Sequence, residues 1–128
     1  MTALDVVRAH YDASARGDLA GMLAVPAPDV RWTEAAGSAY AGTYTGPAAV
    51  VDGVFRRIDE EWSSFAVEVD ELLDADDAVV ALGRYTGRHR ATGKSMTARC
   101  THVWRVADGF VRDFEQIADT AAIAAART

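Results

Sequence analysis

The stretch from Met96 to Asp119 constrains the fold of this chain more than any other. Two runs of alternating side chains flank Asp108-Gly109, a dipeptide suited to the positive φ angles of a tight hairpin turn. Period two puts Met96, Ala98, Cys100, His102, Trp104 and Val106 on one face of the first strand. Thr97, Arg99, Thr101, Val103 and Arg105 take the other face. On the return strand Phe114 and Gln116 share the face of His102 and Trp104, while Glu115 points outward. The inner face is apolar apart from His102 and Gln116. His102 is therefore either a satisfied core residue or a titratable group aimed into a pocket, and alternation alone does not choose.

A chain of 128 residues fits one domain, 1–128, and buries a real core without metal or disulfide help. Its net charge of -6 opposes nucleic-acid binding. The largest basic group, Arg88-His89-Arg90, has the look of a solvated hairpin tip. The single cysteine excludes an internal disulfide. His10, His89 and His102 fall on separate elements without ligand spacing, so no metal or other cofactor is expected. No apolar run approaches the ~18 residues of a membrane span. The first residues lack a basic stretch followed by an apolar core, and a cytoplasmic location is expected.

Residues 3–15 have helical periodicity, with Thr2 and Asp5 placed as a capping box and Gly17 as the stop. His10 is assigned to the surface. Asp18 caps a second short helix that Pro26 and Pro28 end. Val30–Glu34 is a short strand, and the glycine- and tyrosine-rich loop after it, including Tyr44, suits the rim of a small-molecule pocket. Pro47 opens a helix to about Glu61 whose buried stripe includes Val54, Phe55 and Ile58. Strands around Phe65–Asp70 and Ala78–Arg88 lead into the hairpin, and Ala121–Arg127 forms a last helical turn or frays. The predicted architecture is α+β: a cone-shaped, curved antiparallel sheet of four to five strands wrapped around three helices, with a pocket at its wide end.

In order and spacing these pieces resemble the SnoaL-like branch of the nuclear transport factor 2-like superfamily, which includes ketosteroid isomerases, polyketide cyclases and limonene epoxide hydrolases. The resemblance rests on Tyr11 before Gly17-Asp18, on Val30–Glu34, on Gly42-Thr43-Tyr44-Thr45-Gly46, on His102–Gly109 and on Asp119. It implies that Tyr11 stands where the isomerases place an oxyanion-binding tyrosine and Glu34 where they place the general base. His102 takes a position that is aspartate in isomerases and cyclases, which argues against steroid isomerisation specifically. The Asp-Arg-Asp arrangement of the epoxide hydrolases is not recognisable. The resemblance also implies a homodimer through the outer sheet face that carries Arg99, Thr101, Val103 and Arg105.

Tyr11, Glu34 and His102 are polar groups on elements whose neighbours look buried, so they are the catalytic candidates. Trp32, Tyr44, Phe55, Trp104, Phe114 and Gln116 are the substrate-binding candidates. A desolvated Glu34 suits proton abstraction near neutral pH, with the Tyr11 hydroxyl and a protonated His102 binding an enolate. The ligand implied is a small apolar organic compound. Two functions stay open: a cofactor-independent isomerase or cyclase acting α to a carbonyl, and a non-catalytic ligand-binding or dimerisation module.

Overall fold

The computed structural model describes residues 1–128. Helix α1 (Ala3–Ala15) starts at the reciprocal Thr2–Asp5 capping box, and α2 (Leu19–Leu23) is capped by the Asp18 carboxylate. Strands β1 (Pro26–Glu34) and β2 (Gly42–Thr45) follow. The segment 47–61 is one helical stretch: α3 (Pro47–Val50), a π-helical turn over Val51–Phe55, and α4 (Arg56–Glu61). Four strands, β3 (Trp62–Ala75), β4 (Ala78–His89), β5 (Ser95–Ala107) and β6 (Phe110–Ala118), precede the C-terminal helix α5 (Thr120–Arg127). No helix is long and apolar enough to cross a membrane.

The sheet order is β2-β1-β6-β5-β4-β3. Strands β3 to β6 form an antiparallel meander, and its last hairpin closes through positive φ at both Asp108 and Gly109. Strand β1 docks parallel to β6, with Trp32 opposite Phe114. The sheet has six strands where four to five are expected, because residues 42–45 form an edge strand paired to Arg31–Glu34. Their glycine-rich sequence reads as loop, yet an edge strand needs only one row of backbone partners. Strand β1 also begins earlier than Val30. Pro26 is tolerated there because β2 reaches only Arg31, so its missing N–H leaves no ladder bond unmade.

Strands β3 and β4 bend together at Gly83, where an added Cβ would lie 2.2 Å from the Glu68 carbonyl oxygen. The opposite strand carries a bulge between Val69 and Glu71. This bend turns the long strands around the helices, and one face of β1, β4, β5 and β6 becomes concave. Trp32, Val54, Trp104 and Phe114 pack there with Val6 and Val7 of α1. The expected faces of β5 hold: His102 and Trp104 are buried, while Arg99 and Arg105 are exposed.

The Arg88–Arg90 group is solvated only in part, since its two arginines are exposed and the histidine between them is not. His89 is buried against the Trp62 ring, 5.0 Å between centroids, and the Arg90 guanidinium donates to the carbonyls of Asp59, Glu60 and Trp62. Arginine thus satisfies orphan carbonyls at the end of α4 and pulls its neighbour inside. Neither ring nitrogen of His89 has a partner. Replacing this desolvated ring by an aliphatic one, His89→Leu, should raise stability by about 1 kcal/mol in urea denaturation. A loss of stability would show that the ring's packing on Trp62 outweighs its bare nitrogens.

Candidate active site

The concave face and the helices enclose a cavity of about 540 Å³, within the range of small-molecule sites. Seventeen of its 27 lining residues are hydrophobic, so any polar group in it is conspicuous. Exposed Gly17, Leu19, Asp59 and Ser63 border it and mark its mouth. Trp32, Phe55, Trp104 and Phe114 make an aromatic wall, with Trp32 stacked on Phe114 at 3.8 Å.

Glu34 ends β1 two residues beyond Trp32, on the same face, and is only 4% exposed. The Trp32 indole donates to its Oε2 at 3.0 Å. Oε1 has no protein partner and is not sealed from the cavity. Burial pushes the carboxyl up to about 7, and the Trp32 hydrogen bond offsets this only in part. Near neutral pH this group exchanges a proton readily.

Tyr11, on the last turns of α1, reaches across to β5. Its hydroxyl accepts from the Trp104 indole at 2.8 Å and lies 2.6 Å from His102 Nδ1. The second nitrogen of His102, Nε2, lies 2.5 Å from the Tyr85 hydroxyl. Gln116 donates to Tyr85 at 2.8 Å and accepts from the Ala35 backbone N–H at 3.1 Å. Five side chains from α1, β4, β5 and β6 thus form one chain of hydrogen bonds. Burial drives the His102 pKa down to about 3 and both tyrosine pKa values up. The expected protonated imidazole is corrected accordingly: His102 is neutral, since no carboxylate faces it to pay for a buried charge.

Residues 7–114 match the model of the SnoaL-like domain. The chain belongs to the SnoaL-like family. A nuclear transport factor 2-like protein from Burkholderia thailandensis shares 46% identity, over 100% of this chain and 98% of that one, with a TM-score of 0.98. A second such protein, of unknown function, from Burkholderia pseudomallei shares 32% over 98% and 97% of the two chains, with a TM-score of 0.90. TerC, co-crystallised with polyporic acid, has the same fold at 23% identity, a TM-score of 0.88 and coverage of 98% and 97%. No curated protein matches the sequence.

In this SnoaL-like chain Tyr11, Glu34, His102, Trp32, Phe55, Trp104, Phe114 and Gln116 all border one cavity. Tyr44 does not. Its hydroxyl donates to the Tyr40 carbonyl, and its ring lies where a Cβ on Gly53 would sit, 2.1 Å from the nearest ring atom. It braces the π-helical turn from outside. His10 is not a surface residue: it is 6% exposed, lines the cavity and packs on Trp104 at 4.7 Å. Burial lowers its pKa to about 4. Tyr85 is the network member that sequence reasoning missed. Its signal was available, because Val79, Ala81, Gly83 and Tyr85 share the buried face of β4. Cys100, on the same face of β5, is buried, and its thiol is pushed up to about 11. No group of three His, Cys, Asp or Glu side chains is placed to hold a metal ion.

Proposed function

We propose that this protein moves a proton on a small, mostly apolar carbonyl compound without a cofactor, in the manner of an isomerase or cyclase. Glu34 takes the proton α to the carbonyl through Oε1, and the Tyr11 hydroxyl stabilises the oxyanion that results. The observation that carries this reading is a buried carboxyl with one unengaged oxygen in an apolar cavity, and that burial pushes its pKa up to about 7. His102 acts through Tyr11 rather than on the ligand, because both of its nitrogens are already engaged. TerC lends support at the level of fold, as a protein of this shape co-crystallised with polyporic acid.

The test is deuterium uptake from solvent at the α carbon of 2-tetralone, an apolar bicyclic ketone, followed by NMR. Uptake faster than in buffer and dependent on Glu34 is the expected result. Saturable binding of the ketone with uptake no faster than in buffer would leave a binding module and remove the enzyme.

The protein is further proposed to pair through its outer sheet face. Ile117 is 55% exposed there, directly opposite Thr101 and beside the partly buried Val103. Leaving it in water in a monomer forfeits apolar burial that a second copy supplies. Ile117→Glu should convert a dimer into a monomer by light scattering at micromolar concentration. An unchanged mass would place any interface elsewhere.

A further inference from the structure

We infer that Tyr85 is a positioning residue that holds His102 in its Nδ1–H tautomer and so turns the Tyr11 proton into the cavity. The inference rests on the reading of Tyr11 as the oxyanion donor, and it follows from counting protons along the buried chain.

Both ends of that chain are anchored by groups that only donate. The Ala35 backbone N–H points at Gln116 Oε1, so the amide nitrogen must face Tyr85 and donate to its oxygen. At the other end the Trp104 indole N–H donates to the Tyr11 oxygen. Between the two tyrosines lies His102, with Nδ1 toward Tyr11 and Nε2 toward Tyr85. A neutral imidazole supplies one proton and the two phenols supply two more. The two gaps need one proton each, so one proton is left over.

That spare proton sits on one tyrosine or the other. Tyr85 borders the same cavity but is only 6% exposed. If the proton sat there, its neighbour would be the Cys100 thiol, a weak acceptor, since the Glu34 carboxyl acts on Tyr85 through space and makes no hydrogen bond to it. If it sits on Tyr11, a half-buried residue at the cavity wall, it meets ligand or water. The second arrangement leaves no buried donor without a good partner. It requires Tyr85 O–H to donate to Nε2 and Nδ1–H to donate to the Tyr11 oxygen. A neutral histidine in water prefers the opposite, Nε2–H form, so the protein imposes this one.

The arrangement narrows the substrate. Tyr11 accepts two N–H groups and offers one polarised O–H, while His102 offers the cavity nothing. The ligand group seated there is a hydrogen-bond acceptor, a carbonyl or enolate oxygen. An amine or alcohol proton finds no acceptor at that point.

Long-range 1H–15N correlation spectra of the ligand-free protein at pH 7 read the tautomer directly. The signals of His102 are identified by their loss in His102→Gln. The expected result is a protonated Nδ1 and an unprotonated Nε2. Tyr85→Phe removes the only donor to Nε2, so the Nε2 resonance should shift. The Nε2–H form that water favours should gain population at the expense of Nδ1–H, and binding of an ionised, fluorescent hydroxynaphthalene should weaken about ten-fold. An Nε2–H wild-type protein overturns the inference, and so does a Tyr85→Phe variant with wild-type nitrogen shifts and probe affinity. If that variant does not fold, the wild-type tautomer still decides. The spectra need no turnover, so failure of Glu34 as a base leaves this result standing, and the reverse is equally true.

Discussion

Glu34→Gln should slow α-deuterium uptake by roughly 10²–10⁴-fold while leaving ketone affinity almost unchanged. The amide keeps the shape of the side chain and still accepts from the Trp32 indole, so the wall of the cavity is preserved. What it loses is the basic oxygen at Oε1. In the parent, uptake should rise with pH through about 7 and then level, because only the carboxylate abstracts a proton. In the variant the residual rate should lack that step.

The same substitution should stabilise the protein in alkali. Burial pushes the Glu34 carboxyl up to about 7 in the fold, against the 4.5 of a solvated glutamate. A raised carboxyl pKa favours the folded state below the unfolded value, and that contribution is lost as pH rises to the folded value. Above pH 7 the parent therefore bears an ionised, buried carboxylate that the variant lacks. Glu34→Gln should be more stable there by up to about 3 kcal/mol, and the difference should shrink toward pH 4.5. His10 and His102, with pKa values lowered by burial to about 4 and about 3, act on the acid side. They withdraw stability as pH falls below their ordinary 6.5, equally in both proteins. Urea titrations at several pH values separate the two effects. Equal stability of parent and variant at pH 8 would mean that Glu34 is solvated.

Trp104→Ala should remove about 3–5 kcal/mol of stability, a large share of the ~5–15 kcal/mol that holds a domain of this kind. The ring is fully buried and has Tyr11, His10, Trp32, His102 and Phe114 around it. Truncation opens a void at the cavity floor and also deletes the N–H donor to Tyr11. Trp104→Phe isolates the second loss, since it retains most of the ring. A change below about 1 kcal/mol for Trp104→Ala would show that the cavity already isolates this ring from the core.

Alternation makes the face of β5 legible in the sequence, since a one-residue slip would expose Trp104 and bury Arg105. The capping box at Thr2, the Asp18 cap and the Asp108-Gly109 turn were legible for a similar reason: each is a local signal with a local cause. What the sequence hid depends on distant partners. Residues 42–45 become a strand only because β1 offers them an edge. Tyr44 leaves the cavity because Gly53, nine residues on, lets its ring settle against the helix. His10 follows Val6 on the buried stripe of α1, and that spacing outweighs its polarity. The protonation of His102 was out of reach of spacing, because it depends on which atoms face each ring nitrogen. Two phenols, not a carboxylate, do so.

The measurement that bears most directly on the central claim is a 13C titration of the Glu34 side-chain carboxyl, assigned by its loss in Glu34→Gln. A midpoint near 7 is the predicted result, moving when the hydroxynaphthalene probe occupies the cavity. A midpoint close to the 4.5 of a solvated glutamate would contradict the account, because Glu34 would then lie in water rather than in the apolar site that makes it a base.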